Sequence, residues 1–139
     1  MLQPAPVFGF GFSCQSLTKE NSARSKNKGC VKAGTGTSGD TFHKGKHYIL
    51  RFRPFISFLE NVDEVAAEYV NTDGVLDSDS KFIVDLFEKE GFFVMVISID
   101  AREFGSPKAL KRTWFQPPDM NIQSLKSFHL IRCKHVVCT

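Results

Sequence analysis

The side chains best suited to metal chemistry lie near the C-terminus. Two histidines and two cysteines are closely spaced there: His129, Cys133, His135 and Cys138. Thiolate and imidazole are ligands that zinc prefers, but structural zinc sites draw two ligand pairs from separate parts of a chain, and no second pair is evident. The other spaced histidines, His43 and His47, lie in a segment without a helix pattern. We therefore expect no metal site.

A polar turn and a later serine are spaced as in a phosphoryl-transfer site. Asn71-Thr72-Asp73-Gly74 follows one apolar run, and Ser98 lies in a later one. The pattern resembles the start of a haloacid-dehalogenase-type phosphatase, in which Asp73 would match the general acid and Ser98 the phosphate-binding hydroxyl. The family's nucleophilic carboxylate is replaced by Asn71, whose neutral amide cannot form an acyl phosphate. We therefore assign no catalytic residue, with a truncated or degenerate phosphatase domain as the alternative.

A second resemblance rests on an apolar strand followed by a Phe-Gly-Ser-Pro turn. The strand is Phe93–Ser98 and the turn is Phe104–Pro107. Over roughly residues 74–110 this pattern resembles part of a PsbP-type domain, named for an extrinsic subunit of photosystem II. The resemblance implies an association with photosynthetic complexes. Trp114 departs from the family pattern, because it follows the turn instead of preceding the hairpin.

Composition and charge exclude several classes of protein. The chain has 139 residues, of which 42% are hydrophobic and 24% charged, as in an ordinary globular domain. Its apolar runs are shorter than the roughly 18 residues that a membrane-spanning helix needs, so we expect no transmembrane segment. The net charge of +3 is carried by residues 1–40, and residues 41–139 are neutral. Because nucleic-acid binding needs a basic face, we expect no nucleic-acid partner.

The composition of residues 1–40 is that of a targeting segment. They contain six of the ten glycines and eight hydroxyl residues, and no acidic residue precedes Glu20. Serine-rich, basic, acid-poor segments are typical of organelle transit peptides, and the single arginine, Arg24, favours a chloroplast over a mitochondrial one. We predict a transit peptide cut within residues 30–40, or a disordered tail. Either would lie outside the fold.

The predicted domain covers residues 41–115. Apolar and charged residues alternate in Lys46–Leu59, which predicts a strand. One apolar stripe at helical spacing predicts a short helix over Asn61–Val70. A serine followed by proline predicts the start of another helix over Ser106–Arg112.

The most apolar part of the chain is Lys81–Ile99. Two runs rich in Phe, Ile and Val, Lys81–Phe87 and Phe92–Ile99, are joined by a short polar loop that ends in Gly91. This composition predicts an antiparallel hairpin, with at least one face of the second strand fully buried. The first run also has helical spacing, so a helix over Ser80–Lys89 followed by a parallel strand remains the alternative.

Together these elements predict an α+β fold: a small antiparallel sheet built on the central hairpin, with one or two helices on one face. A domain of this size buries a marginal core, so a protein partner should complete it. We expect a plastid-targeted, non-catalytic accessory or assembly protein that works through protein contacts, with peripheral association with the thylakoid. We expect no cofactor and interpret residues 116–139 as a C-terminal extension.

Overall fold

The computed structural model describes residues 6–23 and 27–117. The predicted α+β class is confirmed. These residues form six strands: β1 (Val7–Gly11), β2 (Ile56–Val62), β3 (Tyr69–Val70), β4 (Leu76–Asp77), β5 (Met95–Asp100) and β6 (Lys111–Gln116). The same described ranges contain three α-helices: α1 (Cys30–Ala33), α2 (Gly36–Phe52) and α3 (Asp79–Lys89). No helix within the described ranges is both long and apolar enough to cross a membrane.

Four strands form the main sheet in the order β1-β2-β6-β5, and β3 pairs with β4 in a separate two-stranded ladder. β1 lies parallel to β2, whereas β6 is antiparallel to both of its neighbours. β1, β2 and β5 therefore point in the same direction. Their C-terminal ends meet at one edge of the sheet, which we call the carboxyl edge, and β6 begins there.

The helices cover one face of this sheet. Burial alternates along β2, where Leu59 and Asn61 are buried and Phe58 and Glu60 are only half-buried. On the covered face Phe8 stacks against Tyr48 of α2, with ring centroids 4.3 Å apart. One hydrophobic core fills the space between the layers, and its fully buried large side chains include Phe42, Ile49, Leu59, Ile83, Phe87 and Phe115. The other face of the sheet is therefore left without a helical layer by the described residues.

The described part of the N-terminal segment belongs to the fold, so the prediction that residues 1–40 lie outside it is wrong for residues 6–23 and 27–40. Phe12, Leu17, Cys30 and Val31 are core residues. The backbone N–H of Ser16 donates to the hydroxyl of Ser38, 3.1 Å away, which fixes the segment to the start of α2. Two glycines of this segment have a packing role instead. A Cβ added at Gly29 would overlap with the side chain of Tyr69, and one added at Gly39 would overlap with the backbone of Cys30.

A glycine outside this segment, Gly45 in the middle of α2, allows another close contact. A methyl group added at this position would overlap with the ring of Phe10. Because glycine has no Cβ, β1 can lie directly on the helix. Phe8, Phe10 and Phe12 then form one row against α2.

Lys46–Leu59 is not one strand, as predicted, but the end of α2 followed by a turn and the start of β2. The apolar alternation spans only five residues, and the buried positions Phe42, Gly45 and Ile49 follow helical spacing instead. Arg53, in the left-handed region at φ 44°, ends the helix. The predicted helix over Asn61–Val70 is also wrong, because β2 extends to Val62 and only one 3-10 turn follows.

The predicted hairpin over Lys81–Ile99 is wrong, and the helical part of its alternative is confirmed. The hydroxyl of Ser78 caps α3 by accepting the N–H of Lys81 at 3.1 Å, and Ile83 and Phe87 form its buried stripe. The parallel strand of that alternative is not found, because β5 pairs antiparallel with β6. Neither face of β5 is fully buried, since it is an outer strand.

The helix predicted over Ser106–Arg112 is wrong as well. Ser106–Leu110 forms a loop, and the chain is extended from Lys111 onward as β6. β6 lies between β2 and β5 and pairs with both. These pairings with distant strands outweigh the local preference of a Ser-Pro start for helix.

Candidate functional site

Polar and charged side chains gather at the carboxyl edge around Asp63. Its carboxylate accepts the hydroxyls of Ser98 and Thr113, each at 3.1 Å, and forms an ion pair with Lys111 at 3.1 Å. Burial by itself would raise the pKa of Asp63, but the hydrogen bonds and charge of these neighbours outweigh it and hold the pKa below its ordinary value. The cluster ties the end of β2 to β5 and β6.

A second ion pair crosses the sheet at the same edge. Nε of Arg112 lies 2.8 Å from Oε1 of Glu60 on the neighbouring strand. A methyl group at Gly11 would come within 3.2 Å of Glu60, so β1 leaves this carboxylate uncovered. Cys14, a free and half-buried cysteine, follows β1 shortly beyond Gly11. Open α/β sheets bind ligands outside the carboxyl ends of their parallel strands, which makes this edge a candidate ligand site.

The uncovered side of the sheet, which we call the open face, is apolar at its centre. Its half-buried apolar side chains are Ile56, Phe58, Met95, Ile97, Ile99 and Trp114. Trp114 is the only tryptophan of the chain and lies between Glu60 on β2 and Ile97 on β5. Glu60 and Arg112 supply the charge of this face, and they are paired with each other.

β1 adds little bulk to the open face. Gly9 lies directly beside Phe58, and a Cβ added at Gly9 would meet no atom within 4 Å. Beside Phe58, the backbone of β1 is therefore not covered by a side chain at Gly9. An incoming side chain could approach the backbone closely there.

A cleft of about 340 Å³ opens on the helical side, between α1 and the start of α3. Its polar lining includes Ser16, Lys28, Glu64, Glu68, Tyr69 and Asp79. The carboxylate of Asp79, 3% exposed, accepts the backbone N–H of Lys32 at 3.0 Å and so caps α1. Burial raises the pKa of Asp79, and the backbone hydrogen bonds only partly offset this. Burial and the Asp79 charge together raise the pKa of the Cys30 thiol to about 11.

Asp79→Asn should therefore leave the protein at least as stable as wild type at pH 7. The pKa of Asp79 in the folded protein is above its ordinary value of 3.8, so folding takes up a proton. The protein therefore loses stability as the pH rises from 3.8 through the folded-state pKa of Asp79. The amide oxygen of asparagine keeps the cap without the buried charge. Urea unfolding between pH 4 and 7 should show this pH dependence reduced in the variant.

The control is Asp79→Ala, which loses the cap and should lose about 0.5–2 kcal/mol. If Asp79→Asn were destabilised as much as Asp79→Ala at pH 7, the charge itself would be stabilising. The direction inferred for the pKa would then be wrong.

The candidate metal ligands do not come together in a site among the described residues. His129, Cys133, His135 and Cys138 lie outside the described residues. His43 lies on α2, where Nε2 is 2.9 Å from the carbonyl oxygen of Val31, and His47 is exposed on the same helix. Within residues 6–23 and 27–117, no group of three or more His, Cys, Asp or Glu side chains is placed to hold a metal ion.

Asp73 and Ser98, the residues of the phosphatase resemblance, have partners in different parts of the fold. Asp73 lies in an exposed turn at the end of the β3–β4 ladder, where its N–H donates to the side chain of Asn71 at 2.9 Å. Gly74 completes that turn at φ 76°, a left-handed conformation that glycine adopts without strain. Ser98 donates to Asp63 on the main sheet instead.

The sequence interpretation missed the residues that the carboxyl edge brings together. Glu60 and Arg112 are far apart in the chain and meet only because β6 lies next to β2. Glu60 could have been singled out because it is a charged residue within the apolar run of β2. Cys14 was set aside with the N-terminal segment.

A scan against protein-family models gives no match, and a search of curated proteins gives none either. The function must therefore follow from the residues of this chain and their arrangement.

Proposed function

We propose that this protein is a non-catalytic accessory or assembly protein that works through protein contacts, with the open face as its docking surface. The observation that carries the proposal is Trp114, which is only half-buried at the centre of an apolar sheet face. The described helices cover only the opposite face. The apolar neighbours of Trp114 on the open face are likewise only half-buried, and a partly exposed apolar patch of this kind can mark an interaction site in a soluble protein.

The charge of the open face indicates what it binds. Its two charged side chains, Glu60 and Arg112, form an ion pair at 2.8 Å and leave the face neutral. A charged partner would lose its hydration there without compensation, so an apolar partner is complementary. Sheets of this kind are usually covered by helices, and Gly9 leaves the backbone of β1 open to close approach. The partner is therefore the apolar side of an amphipathic helix of another protein.

A second candidate function is the binding of a small polar ligand at the carboxyl edge. The observation that favours it is the Glu60–Arg112 pair, which is partly exposed beside Gly11. An ion pair with this exposure contributes little to stability, so a ligand could compete for its groups at small cost. A degenerate phosphatase using Asp73 and Ser98 has less support, because these residues have partners in separate parts of the fold.

For the compartment we propose the plastid, with peripheral association with the thylakoid and with photosynthetic complexes. The composition of residues 1–40 and the PsbP-type resemblance support it. A cut within residues 30–40 would remove β1 and the core residue Phe12. We therefore also propose that the imported protein retains residues 1–40.

The full chain, tagged and carrying a fluorescent reporter, should enter plastids and there capture a partner through the open face. Phe58→Lys should abolish capture, because it places a charge on the apolar open face beside Gly9. The matched control is Val70→Lys on β3, at a residue that is 66% exposed and outside the open face. The purified partner should also shift the fluorescence of Trp114 to shorter wavelength, because docking removes water from the indole.

Equal capture by Phe58→Lys and wild type, or an unchanged Trp114 spectrum, would rule out the open face as the docking surface. Capture that is lost in Glu60→Gln but retained in Phe58→Lys would favour the carboxyl-edge site. Retention of the fusion in the cytosol would refute the plastid assignment.

A further inference from the structure

β5 is hydrogen-bonded along one side only within the described residues. It pairs with β6 over six residues, Met95↔Gln116 to Asp100↔Lys111, and with no other described strand. Alternate residues on its outer side therefore present unpaired N–H and C=O groups. Such an edge is a template for another extended strand.

This edge lacks the usual protection against strand addition. Met95-Val96-Ile97-Ser98-Ile99-Asp100 contains no proline, glycine or lysine. Its only charge, Asp100, is at the end and is held by Arg102 of the same chain at 2.6 Å. β1, the other outer strand, is different, because two of its five residues are glycine, which forms strands poorly.

We propose that β5 pairs antiparallel with β5 of a second copy of this chain, which joins two four-stranded sheets into one sheet of eight strands. When a strand pairs antiparallel with the same strand of a second copy, one of its residues can lie opposite the identical residue of that copy. With Ile97 in that position, Met95 of each copy lies opposite Ile99 of the other. All three belong to the open face, so an apolar row continues across the junction.

The charges favour a second copy as the occupant. The antiparallel arrangement places the two Asp100 carboxylates at opposite ends of the junction, so like charges do not meet. The centre of the pairing is neutral, and the open faces of both copies lie on the same side of the joined sheet. This inference goes beyond the proposed function, because it uses the strand edge and leaves the open face accessible.

Sedimentation of the purified full chain should show a monomer–dimer equilibrium that depends on concentration. Ile97→Lys should raise the dissociation constant about tenfold or more, because it sets two ammonium groups against each other at the two-fold axis. The matched control is Ile56→Lys on the inner strand β2, which carries the same charge on the same face. It should leave the dimer intact, and thermal melts of both variants establish that they fold.

Disulfide cross-linking tests the register of the proposed β5–β5 pairing. Mild oxidation should link Ile97→Cys chains to one another, whereas Met95→Cys chains should link no more than wild type, because Met95 faces Ile99 of the second copy. A monomer at all concentrations would overturn the proposal. So would a dimer that survives Ile97→Lys. A dimer lost equally in Ile56→Lys would instead place the contact on the open face. The dimer test can therefore reject the β5 edge contact without rejecting the open face as the docking surface.

Discussion

Replacing Phe12 by alanine is expected to lower the free energy of unfolding by about 3–5 kcal/mol. The side chain is 4% exposed and packs edge-on against Phe42, with ring centroids 5.3 Å apart. The cavity left behind would separate the N-terminal segment from α2. A loss of this size is a large part of the roughly 5–15 kcal/mol that stabilises a domain, so urea unfolding at 25 °C should show a clear change.

The matched control is Val7→Ala on the same strand. Val7 is 54% exposed, and its replacement should change the free energy of unfolding by less than about 0.5 kcal/mol. If Phe12→Ala unfolded at the same urea concentration as wild type, the N-terminal residues would not belong to the fold. The prediction of a separate targeting segment would then return.

Gly45→Ala is expected to destabilise the protein by about 1–3 kcal/mol, although alanine is the better helix former. In an exposed helix the same change would add about 1 kcal/mol of stability. Here the methyl group would overlap with the ring of Phe10, so either β1 or the ring must move. A loss of stability in Gly45→Ala would therefore indicate the close contact between Gly45 and Phe10, and a thermal melt measures this change.

Gly9→Ala provides the comparison, because a Cβ at that position meets nothing within 4 Å. It should melt at or slightly above the wild-type temperature, since alanine loses less backbone entropy than glycine on folding. A stabilising effect at Gly45 would mean that β1 does not lie on α2 as described.

The fold class could be predicted from the sequence because it depends on local patterns. The helical spacing of Ile83 and Phe87 and the polar turn before Gly74 were both visible, although the helix was only the alternative reading of its segment. What could not be predicted were pairings between distant residues. The position of β6 is one of these, and the close contact that Gly45 permits is another.

The candidate site was hidden for the same reason. Which side chains of β2 face solvent depends on its bounds, and these were misplaced when Lys46–Leu59 was interpreted as one strand. The open face and the carboxyl edge exist only once β1, β2 and β6 are neighbours. No spacing along the chain shows that Glu60 will meet Arg112.

The inner position of β6 has a consequence for the order of folding. β6 is the last of the described strands in sequence, yet among the described strands it is the only hydrogen-bonding neighbour of β5 and the second neighbour of β2. A chain that emerges from the ribosome in sequence order therefore leaves the sides of β2 and β5 that pair with β6 exposed until residues 111–116 arrive. Closure of the sheet is a late, long-range event, and such events are slow and prone to aggregation. During synthesis the newly made chain would thus depend on chaperones until its final described strand is inserted.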